Sequence, residues 1–423
     1  MNVNITDVLV IGGGPAGSAV ATFMRQRGRS VTLLEKGRHP RFHIGESLLP
    51  MNLPILERMG VLDQVRAIGV VKHGADFTDT SGNAECQTFR FGEALGSSPD
   101  HAFEVRRSDF DRILFMHCKS KGVDAIEGMR VIRTVPLENG SHEVIAVDSE
   151  NAEHRWEARF LVDASGRDTF LSSTNKWKKR NPRHASAAVF THFRAVQRRP
   201  GRDQGNISLY WFDHGWIWMI PLEDDLMSIG AVCQPDYLKS RTESLDDFLW
   251  QTLSAIPDVQ ERVASADQVL PAQATGNYSY LSDNMHGPGF VMIGDAYAFI
   301  DPVFSSGVYL AMNSAELACG PIEAWLSGDQ RAYKRAMHRY ERKINTGISS
   351  FSWFIYRFTT PAMRLLMSQP NNVFQVVQAV ISMLAGDVFD NRRVKRRLWV
   401  FKSIYSVALV VTWIRGRRPS VAP

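Results

Sequence analysis

The stretch DVLVIGGGPAG, residues 7–17, determines which fold this chain adopts. Its first five residues form a short apolar run, largely β-branched, of the kind that forms a fully buried parallel strand. The glycines that follow have the spacing G-x-G-x-x-G, and an apolar helical pattern comes directly after them. A second predicted strand, SVTLL at residues 30–34, ends in Glu35. A glycine-rich turn between strand and helix, with an acid about 20 residues further on, is typical of dinucleotide sites.

Each part of this pattern has a physical role in binding a dinucleotide. Gly12 permits a tight turn, Gly14 lets the backbone approach a pyrophosphate, and Gly17 lets the helix pack against the strand. The helix N-terminus offers free N–H groups and about half a positive charge to the phosphates. Glu35 is suited to accept hydrogen bonds from a ribose diol. The alternative is a glycine-rich turn that binds no ligand.

Three later segments favour FAD over NAD. VRRSDFDRIL, residues 105–114, predicts a helix start whose arginine, Arg106, could reach the cofactor phosphates. FLVDASG, residues 160–166, predicts a strand running into a turn of small residues, and GFVMIGDA, residues 289–296, predicts a strand with Asp295 at its carboxyl end. Ligands of a doubly wound sheet bind at that end of the strands, where the acid could hold ribityl hydroxyls. In this order the segments resemble the FAD-binding pattern of the para-hydroxybenzoate hydroxylase superfamily.

Four further segments narrow the resemblance. They are IGESLLP at residues 44–50, VKHGA at 71–75, WIWMIP at 216–221 and DPVFSSGV at 301–308. Together they resemble the flavin-dependent halogenases, most closely those acting on phenols, pyrroles or carrier-tethered aromatic rings, over nearly the whole chain. In that family reduced FAD reacts with O2 to give a C4a-hydroperoxide, and a halide ion attacks its distal oxygen to form hypohalous acid. A lysine then holds the hypohalous acid until an electron-rich ring takes up the halogen.

The resemblance also implies the cofactors and the residues that bind them. FAD would arrive as FADH2 from a separate flavin reductase, because no second glycine fingerprint indicates an NAD(P)H domain, and O2 and chloride or bromide would be consumed. Ser306 and Gly307, at the start of an apolar helix, would hold the halide through free N–H groups, which is compatible with ordinary helix capping. The residues implied for FAD are Gly12, Gly14, Ala16, Gly17, Glu35, Lys36, Arg41, Ser47, Arg106, Asp295, Pro302, Gly307 and Val308.

Lys72 matches the position of the family's catalytic lysine. A cationic donor beside an apolar tunnel can polarise hypohalous acid, although the pattern without the resemblance favours a surface lysine at a strand start. Phe304 stands where indole-acting halogenases carry a glutamate thought to assist loss of the ring proton. Phenols and pyrroles can stabilise the cationic intermediate themselves, so Phe304 favours those rings over tryptophan, unless another segment supplies an acid.

Trp216, Trp218 and Ile220 alternate along a predicted strand and therefore share one face. Antiparallel neighbours are predicted over residues 207–212 and 227–233, in the sheet that covers the isoalloxazine ring in this superfamily. We expect the three side chains to form a rigid tryptophan wall that keeps organic substrate from the flavin while a halide reaches it. The two tryptophans are therefore catalytic candidates beside Lys72, and core packing of an aromatic pair is the alternative.

The segments together predict an α/β fold. A Rossmann-like GxGxxG FAD-binding domain, residues 1–170 completed by 280–335, is predicted to interleave with an antiparallel β-sheet substrate domain over residues 171–279. Residues 336–423 are predicted to form a C-terminal helical region. With 423 residues, 44% of them hydrophobic and 22% charged, the chain has an ordinary globular composition.

The C-terminal third leaves several interpretations open. Residues 390–414 combine a basic cluster, RRVKRR at 392–397, with aromatic and aliphatic residues. They predict a solvated helix over the core, a docking site for an acidic carrier protein, or a helix on an anionic membrane surface. The apolar part, residues 398–414, is short for a transmembrane span, so a buried or interfacial helix is expected. The aromatic segment 351–358 is expected to cap the substrate pocket or to pack in the core.

The remaining features limit the compartment and the partners. The four cysteines lie far apart without a CxxC pair, which fits a reducing compartment and argues against a structural zinc site, so no metal is expected. We recognise no signal peptide, so a cytoplasmic location is expected, with membrane association open. Expected partners are a small aromatic substrate of specialised metabolism, free or on an acyl or peptidyl carrier protein, and the reductase; no segment indicates nucleic-acid binding. The alternatives are an aromatic hydroxylase or polyprenyl-chain reductase of the same superfamily, and a non-catalytic flavin-loaded scaffold for a carrier protein.

Overall fold

The computed structural model describes residues 3–80 and 86–416. Its strands are β1 (Asn4–Ile11), β2 (Val31–Glu35), β3 (Gly69–Lys72), β4 (Gly74–Asp79), β5 (Gln87–Arg90), β6 (Ala102–Val105), β7 (Asp124–Glu127), β8 (Arg130–Pro136), β9 (His142–Val147), β10 (Glu153–Asp163), β11 (Lys178–Arg194), β12 (Ile207–Phe212), β13 (Gly215–Pro221), β14 (Leu226–Cys233), β15 (Asp267–Gln268), β16 (Gln273–Ser282), β17 (His286–Gly287), β18 (Phe290–Met292) and β19 (Ala298–Phe299).

The helices follow the same chain order. They are α1 (Pro15–Gln26), α2 (Asn52–Met59), α3 (Leu62–Arg66), α4 (Arg107–Ser120), α5 (Phe170–Thr174), α6 (Pro235–Lys239), α7 (Leu245–Ser254), α8 (Pro257–Arg262), α9 (Ser306–Leu326), α10 (Gln330–Ile355), α11 (Pro361–Ser368), α12 (Val376–Leu384) and α13 (Arg392–Gly416). Short 3-10 turns lie at Phe91–Glu93, Gly166–Asp168, Gly201–Gly205, Gly294–Ala296 and Val373–Gln375.

The first sheet is built around β1, whose apolar run is buried on both faces. Its strand order is β17-β18-β10-β1-β2-β7, with β9 and then β8 added beside β10. β18, β10, β1, β2 and β7 are mutually parallel. Helix α1 packs against β1 and β2 and also contacts α4 and α9. Because parallel strands present their carboxyl ends at one edge, the loops after β1, β2, β10 and β18 meet there, which confirms the predicted α/β architecture.

The second sheet has the order β19-β16-β11-β14-β13-β12-β4-β5, with β15 beside β11. Its pairs are antiparallel except for β12 with β4. The three strands predicted from the alternating pattern are confirmed as β12, β13 and β14. β4 and β5 belong to the second sheet but lie within residues 1–170, which were predicted to form the FAD-binding domain. The chain therefore passes between the two sheets more often than the predicted domain boundaries imply.

The two faces of β13 contribute to different cores. Trp216, Trp218 and Ile220 belong to the core that is continuous with the first sheet. Ile217 and Met219 point the other way and pack in a second core beneath α7 and α8. The alternation expected for a strand therefore directs the tryptophan wall toward the first sheet.

A two-stranded antiparallel ribbon of β3 and β6 lies apart from both sheets. The GESLLP segment runs along β6, because Val105 donates its N–H to the carbonyl of Glu46 at 2.7 Å. Leu48 likewise donates to the carbonyl of Phe103 at 3.0 Å. This arrangement brings residue 47 next to the ribbon that carries Lys72.

The described chain from Ser306 onward contains helices and no strand, as predicted for the C-terminal region. Phe351, Phe354 and Phe358 are buried at 0%, 1% and 2% exposure, so the aromatic segment packs in the core. Phe358 also reaches the neighbourhood of the tryptophan wall, with its ring centroid 6.0 Å from that of Trp216.

Helix α13 is buried along one side only. Val394, Leu398, Phe401 and Tyr405 recur at helical spacing and face the protein. Over residues 392–414 it is the one helix in the described part of the chain that is long and apolar enough to cross a membrane, and 22% of its most apolar window is buried. Two further basic residues, Arg417 and Arg418, lie outside the described residues.

Candidate active site

A cavity of about 560 Å³ lies between the carboxyl edge of the first sheet and the inner face of β13. Most residues predicted from the sequence to bind cofactor or halide, or to form the wall, line it. They are Gly12, Gly14, Ala16, Glu35, Lys36, Arg41, Ser47, Trp216, Trp218, Asp295, Pro302, Ser306, Gly307 and Val308. Three predicted residues, Gly17, Lys72 and Arg106, do not line the cavity.

The glycine loop has the geometry that its spacing predicts. Gly12 has a φ of +102°, and a Cβ there would lie 2.5 Å from the carbonyl oxygen of Ala164, so a side chain is excluded. A Cβ on Gly17 would lie 1.8 Å from the carbonyl oxygen of Gly12. Gly17 therefore allows the helix to pack closely against the glycine loop, and it does not line the cavity. At Gly14 no atom lies within 4 Å of the Cβ position, so a pyrophosphate has room at the N-terminus of α1.

Glu35 lies at the end of β2, as predicted, and is 2% exposed. Its two carboxylate oxygens accept the N–H groups of Gly13 and Gly37, each at 2.7 Å. Arg41 adds an ion pair at 3.2 Å. A carboxylate has about four lone-pair sites, so Glu35 keeps capacity for a ribose hydroxyl. The neighbouring Lys36 is paired with Asp168 across the cavity mouth.

Of the two arginines at the start of α4, Arg107 lines the cavity, as do Arg41, Arg130 and Arg167, whereas Arg106 does not, so the prediction that Arg106 reaches the cofactor is wrong. Arg106 precedes the first turn of α4 and turns outward, where it pairs with Asp109 at 3.0 Å and Asp224 at 2.7 Å. Arg107 lines the cavity and donates twice to Asp111, at 2.8 Å for each bond. It also donates to the carbonyl of Ile44 at 2.9 Å.

Asp295 lies just after β18, at the edge where the sequence predicted it. Burial raises the pKa of its carboxyl group to about 6, opposed by the positive charges of Arg167 and Arg107. The second acid at this edge, Asp163, is completely buried and accepts the N–H groups of Ser165 and Leu171 at 2.9 and 2.8 Å. Asp163 is therefore structural, whereas Asp295 is available to ligand hydroxyls.

The segment before α9 closes the cavity on the side of β13. Ser305 takes the left-handed conformation, with a φ of +55°, directly before the helix begins at Ser306. The N–H groups of the first turn, including those of Ser306 and Gly307, have no acceptor within the helix. They lie at the cavity surface, where an anion can approach them. The halide role of this pair stays a prediction.

The tryptophan wall is held rigidly against the cavity. The ring centroids of Trp216 and Trp218 are 5.9 Å apart, and Trp218 donates its indole N–H to the Ser228 hydroxyl at 3.2 Å. Gly230 pairs with Trp218 on the neighbouring strand. A Cβ on Gly230 would lie 2.3 Å from the indole, so the ring occupies the space that a side chain would need.

Lys72 is 1% exposed, although it sits on a short strand near the surface. The alternation of β3 exposes Val71 at 41% and turns Lys72 inward. Its ammonium donates to the hydroxyl of Ser47 at 2.5 Å and lies 3.5 Å from a carboxylate oxygen of Glu104. Since Ser47 lines the cavity, Lys72 is one side chain removed from it.

Comparisons with known proteins agree with this geometry. The sequence profile of the family described as Tryptophan halogenase matches residues 7–100 and 94–364.

The chain belongs to this family, the flavin-dependent halogenases.

The halogenase is 30% identical, over 92% of its chain and 91% of the relative, to the "1H-pyrrole-2-carbonyl-[peptidyl-carrier protein] chlorinase" of Pseudomonas fluorescens. It is 35% identical, over 77% of its chain and 62% of the relative, to the "Tryptophan 2-halogenase" of Chondromyces crocatus. Its fold matches the solved flavin-dependent brominase Bmp2 with a TM-score of 0.84 and 27% identity, covering 98% of this chain and 100% of that one.

The halogenase uses FAD in reduced form together with O2 and a halide, and the residues present fit this cofactor. The open side of Gly14 would accommodate the pyrophosphate, and Glu35 and Asp295, which both line the cavity, would accept hydrogen bonds from the ribose and ribityl hydroxyls. Arg107 supplies a buried positive charge beside them. Among the described residues no group of three or more His, Cys, Asp or Glu side chains is placed to hold a metal ion.

Sequence reasoning missed several residues of the halogenase site, among them Arg107 and Glu104. Arg107 carried a usable indication, because Arg107 and Asp111 have the i, i+4 spacing of a helical ion pair. Glu104 carried none, because alternation in β6 predicts Phe103 and Val105 inside and Glu104 outside, whereas all of them are buried.

Proposed function

We propose that the enzyme chlorinates or brominates an electron-rich ring, a phenol or a pyrrole, by means of hypohalous acid held at Lys72. The observation that carries the proposal is the buried ammonium of Lys72 in contact with Ser47 of the cavity wall. A lysine placed there for solubility would point outward, as Val71 does. A buried cation one side chain from a flavin cavity is suited to hold and polarise a small neutral oxidant.

The residues of this chain divide the chemistry between two places. When bound, reduced FAD supplies the activation of O2 that oxidises halide to hypohalous acid. The N–H groups of Ser306 and Gly307 would hold the halide at the cavity. Lys72, beyond Ser47, would hold the oxidant and direct it to the ring. Lys72 lies outside the cavity lining, behind Ser47, so in this proposal the ring meets the oxidant at the lysine and does not approach the flavin.

The ring class is supported by two independent observations. Phe304 is 4% exposed and packs against Phe358, with ring centroids 5.3 Å apart, so it brings no carboxylate to accept a ring proton. The relative from Pseudomonas fluorescens is named for a pyrrole on a peptidyl carrier protein and aligns over 92% of this chain. We therefore favour a phenol or pyrrole presented by an acyl or peptidyl carrier protein, with FADH2 supplied by a separate reductase.

The substrate class can be tested by supplying FADH2, chloride or bromide, and matched pairs of rings. Each phenol or pyrrole carboxylic acid is offered free and as the thioester of a carrier protein, and products are identified by mass spectrometry. We expect halogenated ring chiefly from the tethered member of a pair. Halogenation of free tryptophan in preference to every phenol and pyrrole would contradict the proposed class.

The tryptophan wall gives a second prediction. Trp218→Ala removes one indole from the cavity side of β13, so organic substrate gains access toward the flavin. We expect more FADH2 oxidised without halogenation and the appearance of hydroxylated ring, measured as product ratios by mass spectrometry. Gly230→Ala displaces the same ring without deleting it, because its Cβ would lie 2.3 Å from the Trp218 indole and 2.6 Å from the Cβ of Phe190. Unchanged coupling and product in both variants would mean that the wall only packs.

We also propose that the enzyme is cytoplasmic and rests on an anionic membrane surface through α13. The face of this helix turned away from the protein carries Trp399 at 71%, Val407 at 65% and Val410 at 57% exposure. The exposed basic cluster at 392–397 occupies the beginning of the same helix. Apolar residues beside a basic cluster are characteristic of helices that lie in the headgroup region of anionic bilayers.

The membrane proposal is tested by co-sedimentation with vesicles of phosphatidylglycerol and phosphatidylcholine. We expect binding that salt weakens and that the triple variant Trp399→Ser, Val407→Ser, Val410→Ser abolishes. Ile5→Ser is the matched control, since Ile5 is 74% exposed on β1, and it should bind like wild type. Absence of vesicle binding together with salt-sensitive binding of an acidic carrier protein would contradict the membrane and favour the carrier at this helix.

A further inference from the structure

Glu104 is a completely buried acid that faces Lys72 within the β3–β6 ribbon. Val70 pairs with Glu104 and Lys72 pairs with Ala102 across the ribbon. Residues two positions apart on a strand share a face, so Lys72 and Glu104 are diagonal neighbours on one face. The exposed fractions of their side chains are 1% and 0%.

The contacts of the pair leave one donor of Lys72 unused. An ammonium group has three N–H donors. One is directed to the Ser47 hydroxyl at 2.5 Å, and Glu104 lies 3.5 Å from the nitrogen. At this distance the Glu104 carboxylate attracts a second N–H of Lys72, and the Ser47 hydroxyl also interacts with it. The third N–H of Lys72 has no oxygen or nitrogen acceptor among the described residues, and the Phe91 ring centroid lies 5.7 Å from the same nitrogen.

A buried lysine without a counter-charge tends to lose its proton. Burial lowers the pKa of Lys72, and the negative charge of Glu104 opposes that effect. Burial raises the pKa of Glu104 to about 7, opposed by the charge of Lys72. The other acid facing Glu104 is Glu46, on the segment beside β6, and it is bound to His192 at 2.8 Å. Glu104 is thus the charge that Lys72 depends on.

We propose that Glu104 is a positioning residue that keeps Lys72 as an ammonium, so that its third N–H can be donated to hypohalous acid. The proposal rests on the proposed function and adds the device that fixes the charge of Lys72. Phe304 stands where indole-acting halogenases carry a glutamate, so that position has no carboxylate in this enzyme. Glu104 supplies a carboxylate from a different strand. The Glu104 carboxylate interacts with Lys72 and not with the aromatic ring of the substrate.

The step balances with Glu104 unchanged throughout. The ring attacks the halogen of hypohalous acid, so a carbon–halogen bond forms and the halogen–oxygen bond breaks. The departing hydroxide takes a proton from the Lys72 ammonium and leaves as water. The halogenated ring cation then gives its proton to the Lys72 amine, which restores the ammonium beside the Glu104 carboxylate.

The test is the pH dependence of halogenated product per FADH2 oxidised in Glu104→Gln. With the carboxylate removed, Lys72 should lose its proton at lower pH. We expect the alkaline fall in yield to move down by about 1 to 3 pH units relative to wild type. Yield should recover as the pH is lowered, while FADH2 oxidation stays as in wild type at every pH. Superimposable wild-type and variant profiles would overturn the proposal, and so would an equal loss at all pH values.

Two further variants keep the outcome interpretable. If Glu104→Gln fails to retain FAD, Glu104→Asp replaces it, because the shorter side chain withdraws the carboxylate by about 1.5 Å. Its alkaline limb should move in the same direction by a smaller amount, and an unmoved limb would overturn the proposal. Wild type and Lys72→Ala are run in parallel. Product from wild type and none from Lys72→Ala supports the proposed function whatever Glu104 does, whereas no product from wild type refutes that function itself.

Discussion

Lys72→Ala is expected to abolish the halogenated product while the enzyme still binds FAD and oxidises FADH2 at the wild-type rate. The lysine lies outside the cavity lining, behind Ser47, so no cavity-lining side chain is removed. Glu104 loses its counter-charge but can take up a proton, because burial already raises its pKa to about 7. The oxidant loses the cation that holds it, and removal of one such preorganised donor costs on the order of 10²-fold or more in rate. Product by mass spectrometry and FADH2 oxidation by absorbance, measured in one reaction, check both halves.

Two controls separate charge from packing in this experiment. Lys72→Met keeps most of the side-chain volume without the charge and should lose product as completely as Lys72→Ala. Lys239→Ala removes a lysine with a 76% exposed side chain and should behave as wild type. Wild-type product yield from either Lys72 variant would show that the oxidant is held elsewhere.

Arg107→Ala is expected to lose FAD and to unfold at a lower temperature than wild type. The substitution leaves the Asp111 carboxylate, whose side chain is 1% exposed, without its bidentate partner. Breaking a buried pair in this way costs about 3–5 kcal/mol. It also removes a positive charge that opposes the raised pKa of Asp295, so the cavity loses a cation beside its main hydroxyl acceptor. Thermal unfolding and the flavin content after gel filtration measure the two effects.

Arg106→Ala is the matched control, because it deletes the same side chain one residue earlier. Arg106 is 34% exposed and its partners are surface carboxylates. Exposed ion pairs are worth at most about 1 kcal/mol, so this variant should retain FAD and near wild-type stability. The reverse pattern, with FAD lost from Arg106→Ala and kept by Arg107→Ala, would restore the original prediction from sequence.

The sequence was sufficient for the parts of the molecule that follow local rules. The glycine spacing after β1 and the acid after β2 predict a βαβ unit, because a side chain at any of the three glycines would obstruct the turn, the pyrophosphate or the helix packing. Alternation in β13 placed Trp216 and Trp218 on one face, and the structure puts that face on the cavity. Asp295 was found because strand ends of a parallel sheet converge. Each of these predictions needed only chain-local geometry.

The features that sequence alone could not give depend on how segments meet in space. The pattern around Val71 and Lys72 favours burying the valine, and only the pairing of β3 with β6 turns the lysine inward. Alternation along β6 predicts an exposed Glu104, and this residue is buried because the GESLLP segment covers β6. Arg106 and Arg107 are adjacent at the start of α4 and differ only in the direction in which their side chains point. The sequence does not show which of the two faces the cavity, so the structure of α4 was needed to distinguish them.

In the proposed function, halide carries the oxidising power from the flavin to a ring that never meets the flavin. The most direct measurement is the product of the wild-type enzyme with FADH2, O2 and its ring substrate, with and without halide, analysed by mass spectrometry. We expect halogenated ring when halide is present and unmodified ring when it is absent, with FADH2 oxidised in both. Hydroxylated ring in the halide-free reaction would contradict it, because oxygen would then pass directly from flavin to substrate.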